Sequence, residues 1–247
     1  QNSKDEKLEG QKLIFKLKAH LFTGEKKKKL VELLDLKEIK RISASFLDEL
    51  NYFKSGHEEL KNLDDENIPI SILEVYDNAS GLGGRWFGDA DENQETSNFF
   101  NLVLSLSNTD KPSQHRNSLG SYGQGKMVFA KYSKMRTMLY YSHFKETAAT
   151  EGAWARCLAT GFFPKHKSDG KTYSGHSYFG DETDKPGHEK APIENEDAQA
   201  FIGQLGLPTR KKEEFGTSVF IIGSYLEEIR ELRMAFEKWW WPVLEDP

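Results

Sequence analysis

The spacing of apolar residues changes along the chain, and each change predicts an element. Leu13 to Leu21 is one apolar segment within an otherwise mixed start. From Leu30 onward the apolar residues Leu33, Leu34, Ile39, Ile42, Phe46, Leu47, Leu50 and Phe53 recur every three or four positions, the period of an amphipathic helix. Gly24 and Gly56 fence this stretch, so one or two helices are predicted between them. Residues 56–67 are charged and predict a loop or short helix. Ile70, Ile72, Leu73 and Val75 then crowd the segment Ile68 to Tyr76, which reads as a buried strand. Asp77 to Gly84 breaks any regular structure.

The second half alternates less cleanly. Phe99 to Leu106 is an apolar helix candidate, followed by a polar stretch from Asn108 to Ser118. A glycine-rich turn, 120–125, opens a helix from Lys126 to Tyr132, and two strands are predicted at Thr137 to Phe144 and Ala155 to Phe163. Residues 165–192, rich in Gly, His, Lys and Asp, read as an exposed loop or hairpin. Asn195 to Leu205 is a short helix whose Glu196 and Asp197 suit its first turn. Ser218 to Ile222 is a strand, and Tyr225 to Trp241 a final amphipathic helix stopped at Pro242. Helices and strands mix without a regular strand–helix alternation. That predicts an α+β two-layer sandwich, a mixed, mostly antiparallel sheet with helices on one face, rather than a doubly wound sheet. The expected division is an N-terminal extension (1–25), a main domain (26–223) and a C-terminal helix (224–247) that can lead into a further domain.

Composition narrows the class. A length of 247 residues suits one sizeable domain with extensions. No stretch approaches the ~20 apolar residues of a membrane span, and the start, Gln1 to Gly10, has no apolar run of the secretory kind. Cys157 is the single cysteine, so an internal disulfide is excluded and a reducing, cytoplasmic setting is expected. A net charge of −5 argues against nucleic-acid binding over the whole surface, though not against a local basic patch.

Three motifs carry candidate chemistry. The first, Asp77-Asn78-Ala79-Ser80-Gly81-Leu82-Gly83, directly follows a buried strand. A carboxylate at a strand end can accept a hydrogen bond from an exocyclic amine, and glycines after it let the backbone approach a flat base. The same residues also suit an ordinary Asx-type turn. The second is Gly120-Ser121-Tyr122-Gly123-Gln124-Gly125-Lys126. Backbone N–H groups at a helix start favour anions, and glycine removes side chains that would block a phosphate. It nearly fits a P-loop, but Met127 stands where a hydroxyl must reach magnesium, and no strand precedes it. The third is Gly216-Thr217 entering a strand, where a threonine hydroxyl can support the base-binding carboxylate.

Taken in order, these boxes resemble the GHKL superfamily, the Bergerat-fold ATP-binding domains of gyrase B, MutL and MORC type. The family's Asp-x-Gly-x-Gly box resembles Asp77 to Gly81, with Ala79 in place of the first glycine; its Gly-x-x-Gly-x-Gly box matches Gly120, Gly123 and Gly125; its late Gly-Thr matches Gly216 and Thr217. The resemblance spans residues 40–223. It implies a Bergerat fold and an ATP site with Mg2+. Asp77, with Asn78, Gly81, Gly83 and Thr217, would lie at the adenine, and Gly120, Gly123, Gln124, Gly125 and Lys126 at the phosphates. Residues 85–119 would form a lid, loose until nucleotide binds. The implied activity is ATP hydrolysis driving a conformational or dimerisation switch. A homodimer would then follow the nucleotide, and protein or nucleic-acid partners would engage through other domains.

The family's catalytic helix carries a Glu with an Asn four residues on. Glu49 is the candidate on topology, although position 53 is Phe; Glu58 with Asn62 has the spacing but lies close before Asp77, and Asp48 and Asn51 are nearby substitutes. Two other function classes stay open: a nucleotide-binding or degenerate-pocket interaction module without hydrolysis, and a histidine-kinase-like catalytic domain. His166, His176 and His188 read as surface residues of a polar loop, the basic runs Lys26 to Lys29 and Arg210 to Lys212 as solvated or phosphate-touching, and Trp239 to Trp241 as packed on the sheet or docking a partner.

Overall fold

A computed structural model describes residues 7–46, 50–88, 97–104, 124–226, 230–234 and 238. In chain order the elements are β1 (Phe15–Phe22), α1 (Gly24–Leu33), α2 (Leu36–Ser43), α3 (Leu50–Lys61) and β2 (Ile70–Asp77). A π-helical turn, Phe100–Leu104, precedes α4 (Gln124–Tyr132), β3 (Ser133–His143) and β4 (Ala155–Phe162). β5 (His166–Ser168), β6 (Lys171–Tyr173), β7 (His176–Phe179), β8 (Ile193–Glu194), α5 (Asn195–Gln204) and β9 (Gly216–Ser224) complete it. No described helix is long and apolar enough to cross a membrane.

The main sheet has seven strands in the order β1-β2-β9-β3-β4-β7, with β8 also on β4, and these pairings are all antiparallel. β5 and β6 form a separate hairpin. This is the expected α+β architecture. β1, from the segment read as an extension, pairs with β2 along its whole length.

Strand alternation sends alternate residues to two cores. Ile70, Ile72, Leu139, Tyr141, Cys157, Ala159, Phe220 and Ile222 meet Leu30, Leu34, Leu36, Ile39, Phe53, Leu60, Ala198 and Ile202 of α1, α2, α3 and α5. Leu73, Met138, Tyr140, Leu158, Phe162, Val219 and Ile221 form the other face, covered by Leu82, Trp86, Phe99, Val103 and, from α4, Ala130. Both faces are covered, not one, and the central strands show why. Every residue of β4 and β9 is buried, so neither face can meet water.

The helical stretch also differs in detail. Its described residues hold three helices, and Asp35, at a left-handed φ of 47°, separates α1 from α2. Gly56 does not stop a helix; it lies inside α3, where a Cβ would stand 2.7 Å from the Lys134 carbonyl oxygen and 2.5 Å from the Phe53 ring. Its absent side chain lets α3 lie close on β3. Arg136, at φ 54°, makes the irregularity that carries β3 back to Ser133, ahead of the predicted start at Thr137.

Lys27, one of the basic run, is 1% exposed rather than solvated. Its ammonium donates to the carbonyl oxygens of Asn62 (2.5 Å), Asp65 (2.6 Å) and Ile68 (2.8 Å). It thereby ties α1 to the loop that delivers β2. Burial lowers the Lys27 pKa, and the nearby Asp65 and Glu59 carboxylates oppose that shift.

Candidate functional site

The end of β2, the start of β9 and the end of β3 are neighbours, and their registers bring the first and third motifs together. Ser142 lies opposite Thr217, and His143 opposite Gly216. By alternation Asp77, Ser142 and Thr217 share the face of Leu73, Met138 and Val219. Asp77 Oδ1 accepts the backbone N–H groups of Ala79 (3.1 Å) and Thr217 (3.1 Å). The first bond closes the Asx turn that the sequence allowed, and the second anchors that turn to β9. The support Thr217 gives the carboxylate therefore comes from its N–H; its hydroxyl points to Ser142, with Oγ1 to Oγ at 3.0 Å.

Ser142 is a site residue the sequence did not single out. Its Oγ is buried, accepts the Leu82 N–H at 2.7 Å and donates to the Gly216 carbonyl at 2.9 Å. It locks the glycine turn to the strand pair. Nothing local marks it; only the register of β3 on β9 does.

The glycines divide by cause. Gly81 has φ 81°, and a Cβ there would collide with the His143 carbonyl oxygen and stand 3.0 Å from Ser142 Oγ. Gly216 has φ 126°, and a Cβ would collide with the Asp77 carbonyl oxygen and stand 2.8 Å from Arg210 Nη1. Folding alone requires glycine at both. Gly83 is different: it lies outside the left-handed region, and a Cβ would make ordinary contact with Phe144 at 3.6 Å. Among the described residues, packing does not demand glycine there.

The Asn78 amide is engaged by the fold itself. Its Oδ1 accepts Ile14 N–H at 2.6 Å and its Nδ2 donates to the Lys12 carbonyl at 3.0 Å. Both ends of the amide thus pin the chain entering β1.

Two buried arginines hold the turn. Arg210, 2% exposed, donates from Nη2 to the Asp77 carbonyl (2.7 Å) and Ser218 Oγ (3.2 Å), and from Nη1 to the Phe215 carbonyl (3.1 Å). Its guanidinium lies 4.2 Å from the Tyr76 ring centroid. Burial lowers its pKa, opposed by Tyr76 and Asp77. It is therefore neither solvated nor available to a nucleic-acid phosphate. Arg156, 1% exposed, donates to Glu194 Oε1 (2.8 Å), to the Thr150 carbonyl (3.3 Å) and to the Gly84 carbonyl. Its guanidinium sits between the rings of Phe99 (5.5 Å) and Phe144 (5.2 Å).

The described parts of the expected lid, 85–88 and 97–104, pack against the second core. Trp86 is buried, Phe99 and Val103 lie in the second core, and Phe99 N–H bonds the Gly83 carbonyl at 3.1 Å. Lys185 Nζ lies 4.2 Å over the Phe87 ring, and the His188 ring meets Trp86 edge-on at 5.6 Å.

The phosphate box is only partly in view. Gly120, Gly123 and most of residues 89–123 lie outside the described residues. Gln124, Gly125 and Lys126 form the first turn of α4, whose Ala130 packs on the face that carries Asp77. Glu49 and Asp48 also lie outside the described residues, as do Trp239 to Trp241. The helix after Glu49, α3, buries Phe53 and Leu60 in the first core, on the face opposite Asp77. Glu58 and Asn62 belong to that same side, and the Asn62 amide donates back to the Glu58 carbonyl at 3.2 Å. A groove between α2 and α3, lined by Lys40, Ser43, Lys54, His57, Glu58, Leu60 and Lys61, is likewise on the helical side, and it includes the alternative catalytic candidate Glu58 but no residue of the three motifs. Of the loop histidines, His166 is buried and stacked on Tyr173 at 5.3 Å, not a surface residue.

Comparison with protein-family models, with curated proteins and with solved structures finds no match in any of the three.

Proposed function

We propose that the chain is an adenine-nucleotide-binding module of GHKL type, with the base held where β2, β9 and β3 end together. One juxtaposition supports this: the turn that carries Asp77 and Gly83 is brought onto the start of β9, 140 residues away in sequence, where Thr217 N–H bonds the Asp77 carboxylate. A carboxylate is an acceptor only, so it selects a ligand donor such as the adenine amine. The first turn of α4 lies on the same face, where Gly125 and Lys126 would receive phosphates, with Gly120 and Gly123 just before them. Mg2+ would accompany the triphosphate, and a nucleotide-dependent homodimer would be its output. Such a module would work in the ATP-rich cytoplasm.

A second reading, nucleotide binding without hydrolysis, is favoured by the position of α3. Glu58, the candidate within α3, belongs to a helix packed against the face opposite Asp77.

Titration calorimetry with ATP, a non-hydrolysable analogue and GTP, with and without Mg2+, tests the proposal. Asp77→Asn should weaken ATP binding about 10- to 100-fold, the worth of a hydrogen bond to a charged group. GTP should bind poorly. ATP affinity unchanged within about twofold would sink the assignment. Phosphate release from the same samples separates the two readings.

A further inference from the structure

We propose that the groove between α2 and α3 is a second ligand site, one that takes a small phosphomonoester, with Lys40, Lys54 and Lys61 as its anion-binding groups. It does not rest on the nucleotide reading, because it lies on the helical face of the sheet and Asp77 on the other.

The spacing builds the groove. Lys54, His57, Glu58 and Lys61 recur every three or four positions of α3 and so share one side of that helix. Lys40 and Ser43 do the same on α2. Where these two sides meet they leave a cavity of 290 Å³. Leu60 and Ser43 are buried in its wall, Lys40 is half-buried, and Lys54 and Lys61 are exposed.

Charge then selects the ligand. The lysines around the groove differ in what they meet. Lys37 and Lys40 share the single Asp64 carboxylate at 3.0 and 3.4 Å, and Lys134 meets Glu59 at 3.7 Å. Lys54 and Lys61 form no such pair among the described residues. Four ammonium groups, Lys37 included, thus face two carboxylates, Asp64 and Glu58, an excess of two positive charges. The chain as a whole carries −5, so this excess is local and not a share of a basic surface. It matches the charge of a phosphomonoester, about −1.5 to −2 near neutral pH. Ammonium groups are compact charges with three rotatable donors each, which suits a tetrahedral oxyanion. A nucleic-acid strand fits less well. Each of its phosphodiesters carries one charge, and the Asp64 carboxylate stands 3.4 Å from Lys40.

His57 supplies a reporter inside the groove. Its ring meets Phe53 edge-on at 5.2 Å, and its pKa is lowered first by burial and then by the Lys61 charge. A dianion held by Lys54 and Lys61 offsets the second cause.

The test titrates the full chain with inorganic phosphate at constant ionic strength, chloride making up the balance. NMR follows the His57 ring, its signal assigned by its loss in His57→Gln. Phosphate should bind saturably and move the His57 titration to higher pH. Lys54→Gln combined with Lys61→Gln should weaken that binding about tenfold or more. Methyl phosphate should bind about tenfold more tightly than dimethyl phosphate, which has one charge fewer. Chloride alone reproducing the His57 change, phosphate binding undiminished in the double variant, or equal affinity for the two esters each overturns the proposal. An oligonucleotide that binds through Lys54 and Lys61 where phosphate does not also overturns it, in favour of a strand. Phosphate lost in Lys126→Gln but not in the double variant places the anion at the nucleotide phosphates and overturns this site alone. Phosphate held by Lys54 and Lys61 in a chain that binds no nucleotide supports this site and refutes the other.

Discussion

Gly216 and Gly83 make opposite predictions when each is replaced by alanine. At Gly216 the backbone has φ 126°, a region essentially reserved for glycine, costing about 1–3 kcal/mol for another residue. The new Cβ would also collide with the Asp77 carbonyl oxygen and approach Arg210 Nη1 and the Asn78 Cα to 2.8 Å. Two of those three neighbours are backbone, which cannot swing aside, so overpacking adds about 1–3 kcal/mol more. A total of about 4 kcal/mol lowers the Tm by about 8–16 °C for a chain of this size. At Gly83 the nearest atoms to a Cβ are those of Phe144 at 3.6 Å, and no left-handed φ is involved. Alanine there should leave the Tm unchanged or raise it slightly, by loss of unfolded-state freedom of about 0.4–1 kcal/mol. Its cost should appear in ATP affinity instead. Melting followed by calorimetry reads both quantities. Gly216→Ala melting within about 2 °C of the native chain would refute the steric argument, and Gly83→Ala binding ATP normally would remove the ligand as the reason for that glycine.

Two further outcomes concern the body of the fold. Lys27→Met keeps the aliphatic stem but strips three buried carbonyl oxygens of their donor, and should cost about 3 kcal/mol in urea unfolding; a loss under about 1 kcal/mol would mean water replaces the ammonium. His143 is fully buried with Nδ1 2.9 Å from the Lys211 carbonyl and Nε2 2.7 Å from the Tyr141 hydroxyl, a pairing that suits the neutral ring donating from Nδ1. Burial lowers its pKa, so below about pH 6.5 the unfolded chain takes up the proton first and stability falls as pH falls, by up to about 1.4 kcal/mol per unit. Melting at pH 7.5 and 5.5 should show this loss, and His143→Gln should reduce it; an equal loss in the variant would place the acid sensitivity at other groups, such as His57 and His188, whose pKa values burial also lowers.

What the sequence made legible follows from where the physics is local. β2, β4 and β9 announce themselves because strands buried on both faces are near-continuous apolar runs. α5 was readable to within a residue from its period and its acidic first turn. The break at Asp35 was not, since a left-handed aspartate looks like any polar helix residue. Lys27 and Arg210 sit within basic runs that resemble solvated surface; their burial depends on carbonyls contributed by segments 35 or more residues away, such as Asn62 for Lys27 and Asp77 for Arg210. Ser142 and Arg156 are isolated polar residues inside apolar strands, and only strand register shows what they touch. For the candidate site, the motifs were legible but their partners were not: the Thr217 N–H, rather than its hydroxyl, meets the Asp77 carboxylate, and the Asn78 amide bonds Ile14 and Lys12.

The turn after β2 is held from both sides of the sheet, and this bears on what it can recognise. On one face the Asp77 carboxylate takes the Ala79 and Thr217 N–H groups, and Ser142 takes Leu82. From the other side Arg210 takes the Asp77 carbonyl, itself braced by Ser218 and stacked on Tyr76. Ser218 also donates to Glu74 Oε1 at 3.2 Å, whose second oxygen meets His20 at 3.1 Å. A side chain fixed at its carboxylate and at its own backbone oxygen has little freedom to follow a poorly matched ligand. The buried polar cluster on the helical face is thus explained without assigning it chemistry of its own. It holds, from behind, the Asp77 backbone, whose carboxylate lies on the opposite face.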